Sequence, residues 1–102
     1  MGFFNRLLDF GDREQVRTYV YRICVGLEQI EKATSISDIK GLSIALRKEI
    51  QDMIMVATKL TGESINSLDV KVNGCKMPFL RFIDKLEYES AKIVAKGGCS
   101  II

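Results

Sequence analysis

Apolar residues recur at helical spacing in three stretches of this chain. Between residues 14 and 33 the series Val16, Val20, Ile23, Leu27 and Ile30 steps alternately by four and three, the spacing that keeps one stripe of an α-helix against a neighbour. A second stripe runs through Ile39, Leu42, Leu46, Ile50, Met53, Ile54, Ala57 and Leu60, and a third through Phe79, Phe82, Ile83, Leu86, Ile93 and Val94. The three stripes predict helices over about 13–33, 36–61 and 78–96.

The residues between the stripes set the ends. Asp12 with Gln15 resembles a capping box that opens the first helix, and Thr34, Ser35 and Ser37 close it by competing for backbone hydrogen bonds. Ser35 followed by Asp38 caps the second helix, and Gly62 just past Leu60 is its expected stop. Pro78 suits the first turn of the third, and Gly97 with Gly98 mark its end.

Two segments fall outside the stripes. Residues 1–11 place Phe3, Phe4, Leu7, Leu8 and Phe10 on one side of a short amphipathic helix that Gly11 breaks. In residues 63–77, Leu68, Val70 and Val72 alternate with charged residues as a strand would, and Asn73-Gly74 suggests a tight turn. A returning strand would run into Pro78, which cannot donate to a ladder, so the segment reads as an extended connector. The expected architecture is all-α: an antiparallel three-helix bundle over residues 12–97, preceded by the amphipathic segment 1–11 and followed by a frayed tail, 98–102.

At 102 residues and 47% hydrophobic composition the chain has room for one core. No apolar run is long enough for a membrane-spanning helix and no secretory signal opens the chain, so a cytoplasmic protein is expected. Cys24, Cys75 and Cys99 form no C-x-x-C pair, which suggests neither a disulfide framework nor a metal site. Basic and acidic residues are nearly balanced along each predicted helix, leaving no clustered Lys/Arg face there for duplex nucleic acid.

Catalytic signatures are missing too. The chain has no histidine, no nucleophile elbow and no phosphate-binding glycine loop. Glu49, Asp52, Asp84 and Glu87 read as solvated partners of neighbouring Lys and Arg. No enzyme and no cofactor is expected.

What remains is apolar surplus. At about 100° per residue, Tyr21 and Val25 fall on the far side of the first helix from Val16, Ile44 and Met55 opposite Ile39, and Tyr88 opposite Phe79. These five are the candidate interaction residues. They point to a non-enzymatic protein-interaction module, an adaptor or inhibitor, that associates with itself and with another protein. Gly26 on the flank of the first stripe hints at close approach by a neighbour.

Two other classes compete. Arg17 and Tyr21 stand one turn apart, an arrangement that pairs a phosphate and stacks a base, as a small anionic ligand or nucleotide would need. A peripheral membrane protein would use Phe3, Phe4, Leu7 and Leu8, or lipidation at Cys99, which begins a loose C-a-a-X match.

Overall fold

The computed structural model describes residues 2–102, with side chains from Phe10 onward. The protein is mostly helical, with one small sheet. Its elements are α1 (Gly2–Lys32), α2 (Ile36–Ala57), α3 (Gly62–Asn66), β1 (Asp69–Val72), β2 (Cys75–Pro78) and α4 (Phe79–Ala95).

The three long stripes form helices and most of their residues face inward, but Ile54 and Val94, expected on the second and third stripes, are exposed. Val16, Val20, Ile23 and Ile30 of α1, Ile39, Leu46, Ile50 and Met53 of α2, and Phe79, Phe82, Leu86 and Ile93 of α4 are buried in one cluster. Arg22 of α1 pairs with Glu49 of α2 at 2.6 Å, and a Cβ at Gly26 would lie 2.9 Å from Leu46 Cδ1. Partner numbers fall in α2 as they rise in α1, so the two helices are antiparallel. Gly26 is the close approach, and α2 makes it. Ser35 caps α2 as expected, its hydroxyl accepting from the Asp38 N–H at 3.1 Å.

Two glycines read as breaks do not break the chain. α1 passes through Gly11 without interruption, so Asp12 and Gln15 lie inside a helix rather than at its start. A helical glycine costs about 1 kcal/mol relative to alanine, but it ends a helix only when it takes the left-handed conformation. Among the described residues only Gly74 and Gly97 do so. Likewise α2 stops at Ala57, where the Thr58 hydroxyl donates back to Met55 O at 2.7 Å. Gly62 opens α3, capped by Thr61 Oγ1 accepting from Ser64 N at 3.2 Å.

The expected connector at 63–77 is instead α3 followed by a β-hairpin. Asn73 and Gly74, at φ 54° and 83°, make the two-residue turn, whose twist suits a hairpin. The register is Val72↔Cys75, Lys71↔Lys76, Val70↔Met77 and Asp69↔Pro78. In an antiparallel pair, hydrogen-bonded and non-hydrogen-bonded positions alternate from the turn outward. Pro78 therefore occupies a non-hydrogen-bonded position, and its missing N–H removes no ladder bond. The next residue resumes the ladder, with Phe79 N–H donating to Leu68 O at 2.8 Å.

The expected frayed tail is docked. Gly97, at φ 99°, and Gly98 donate to Val94 O and Ile93 O, a Schellman stop that turns the chain back on α4. Cys99 N–H then donates to Ser43 Oγ of α2, and Ile101 N–H to Ser90 Oγ of α4, each at 3.0 Å. Ile101 is fully buried between these anchors. Two serines on the apolar stripes thus receive the backbone of the last residues and tie α2 to α4.

Candidate binding grooves beside Tyr21

Tyr21 is 70% exposed and stands between two grooves. The first lies between α1 and α2. It is lined by Tyr21, Val25, Gly26, Leu42, Ala45 and Leu46, with Arg22, Gln29 and Glu49, and encloses about 390 Å³. Gly26 lines it where the two helices come closest. Of the five candidate interaction residues, Tyr21 and Val25 come together here. Ile44 and Met55 are exposed on α2 and Tyr88 on α4, and none of the three lines this groove. Tyr88 already has company: Lys92 Nζ lies 5.6 Å from its ring centre, within cation–π range.

The second groove lies between α1 and the hairpin, with a volume of about 410 Å³. Arg13, Arg17 and Tyr21 line it from α1, and Ser67, Asp69, Val70, Lys71 and Lys76 from the other wall. Asp69 pairs with Pro78 at a non-hydrogen-bonded position, so its carbonyl points away from β2. Arg17 Nε meets that carbonyl at 3.1 Å. The free edge of β1 is thus covered by α1, and Arg17 satisfies the orphaned acceptor while its Nη1 donates to Glu14 Oε1. The Arg17–Tyr21 pair does line one groove, but Arg17 holds the wall in place and is already spoken for. Of the cations that line this groove, Arg13, Lys71 and Lys76 have no hydrogen bond or ion pair among the described residues.

Lys71 and Lys76 fall outside the predicted helices, so the charge balance along those helices does not register them, and Arg13 enters it only as one cation at the start of the first. Arg13 precedes Arg17 by four residues, so Arg13, Arg17 and Tyr21 share one helix face. The two lysines flank Asn73-Gly74 symmetrically, which brings them together once the hairpin is recognised.

A mixed-charge cleft of about 360 Å³ lies between α1 and α4, lined by Cys24, Glu28, Glu31, Lys85, Glu89 and Lys92 among others. Burial pushes the Cys24 thiol pKa above the ordinary cysteine value, against the opposing pull of Lys85. Cys99 is half-buried in the docked tail. The side chains of Phe3, Phe4, Leu7 and Leu8 lie outside the described residues. Among those that are described, no helix is long and apolar enough to cross a membrane.

No protein-family model matches the chain, and neither a curated protein nor a solved structure matches it.

Proposed function

We propose that this protein is a non-enzymatic interaction module, an antiparallel three-helix bundle that pairs with a second copy of itself through the outer face of α1. The observation that carries this reading is a stripe of exposed residues with a self-complementary order of charge. Phe10, Glu14, Arg17, Tyr21, Val25, Glu28 and Lys32 all fall within about 40° of Tyr21 around the helix. Phe10, Tyr21 and Val25 are exposed large hydrophobics, as is Ile36 just beyond the helix.

A two-fold axis at the level of Ile23 matches this stripe to its own copy. Tyr21 then faces the second copy's Val25, Glu14 its Lys32, and Phe10 its Ile36, while Arg17 falls beside its Glu28. Within the chain, Glu14 pairs with Arg17, and Glu28 with Lys32 at 3.1 Å. In the antiparallel copy these two pairs meet with acid against base at both ends. A two-fold interface needs such self-complementarity, and charge order of this kind fixes register more than it adds affinity. Ile44, Met55 and Tyr88 remain outside this contact, available to another protein.

Light scattering on eluted protein tests the reading. The wild type is expected as a dimer, and Tyr21→Asp with Val25→Asp as a monomer. Glu14→Lys alone should weaken the dimer and Lys32→Glu added to it should recover part of the loss, since the swap re-creates the opposition across the interface while setting like charges at 14/17 and 28/32 within each chain. A wild type that stays monomeric at high concentration overturns it.

A further inference from the structure

The hairpin places Lys71 and Lys76 directly opposite each other. Counting from the turn, theirs is a non-hydrogen-bonded pair, the kind in which Cα atoms approach most closely and side chains are nearest. Like charges so placed repel and destabilise a hairpin. Arg13 adds a third positive charge to the same groove, and among the described residues its Nε is buried without a hydrogen-bond partner. Against these cations the lining offers one carboxylate, Asp69. An arrangement that costs stability when empty and gains it when an anion sits among the charges is the electrostatic form of a binding site.

The dimensions narrow the occupant. About 410 Å³ suits a small molecule rather than a macromolecular surface. A phosphate group supplies a double negative charge and several acceptor oxygens, matching a guanidinium fork and two ammonium groups better than a lone carboxylate does. We propose that the groove between α1 and the hairpin binds a small phosphorylated molecule, its phosphate held by Arg13, Lys71 and Lys76. Arg17 is a positioning residue there, keeping β1 against α1 through the Asp69 carbonyl.

Calorimetric titration of the full chain with ADP, pyrophosphate and adenosine tests the assignment. ADP and pyrophosphate are expected to bind, more weakly as salt is raised, and adenosine not to bind. Lys76→Glu turns the cross-strand repulsion into an attraction, so its thermal midpoint should hold or rise while affinity for ADP falls at least about tenfold. Arg13→Gln, in case the hairpin variant misfolds, should cost a similar factor. The proposal is overturned if neither ADP nor pyrophosphate binds at millimolar concentration, if adenosine binds as well as ADP, or if the folded variants retain wild-type affinity.

Discussion

Cys24 sits on the flank of the α1 stripe, where packing removes part of its sulfur from water. Desolvation disfavours the thiolate, so the folded protein holds the Cys24 proton more tightly than the unfolded chain does. Below the ordinary cysteine value of 9.0 both states carry the proton and the group adds no pH dependence. Above it the unfolded chain gives up the proton first, so stability falls as pH rises. Thermal unfolding from pH 7 to 10 should therefore decline more steeply in the wild type than in Cys24→Ala, with equal slopes refuting a buried thiol. The same burial orders reactivity: exposed Cys75 should be alkylated before Cys24 at neutral pH.

At the scale of elements, the docked tail does the joining that loops usually do. Ile101 is as buried as any stripe residue, and its truncation to alanine should cost about 2–5 kcal/mol in denaturant unfolding. Ser43→Ala leaves the Cys99 N–H without its acceptor and should cost about 1–3 kcal/mol. Gly98→Ala belongs with them, because its Cβ would lie 2.7 Å from Ile93 Cγ2 and 2.9 Å from Ile39 Cγ2. If all three variants unfold like the wild type, the tail contributes nothing to the core. The stripes were legible because amphipathic period needs only the chain itself. The tail was not, although Ser43 and Ser90 stood on buried stripes where a hydroxyl needs a partner. That partner is far away in sequence, and spacing within one helix cannot name it. The hairpin is hidden for a different reason: proline is a poor strand residue by type, whereas what matters at Pro78 is whether its position donates to the ladder.

For the whole molecule, the antiparallel match of Arg22 to Glu49 sets how far α2 reaches along α1. Ala57 lies eight residues beyond Glu49, which carries the end of α2 to about the level of Glu14. Phe10 therefore lies past the end of α2, and it is 63% exposed. In the protomer alone its ring has little to lose; in the proposed dimer it meets Ile36 beside the turn between α1 and α2. Association that stabilises only the folded state raises the unfolding midpoint with protein concentration. The wild type should show this rise. Phe10→Ser should abolish most of it while leaving the midpoint in dilute solution unchanged, because the apolar burial it removes belongs to the interface and not to the core. A midpoint lowered equally at every concentration would place Phe10 in the protomer's own packing and remove that end of the interface. A midpoint that never responds to concentration, in either protein, would remove the dimer itself.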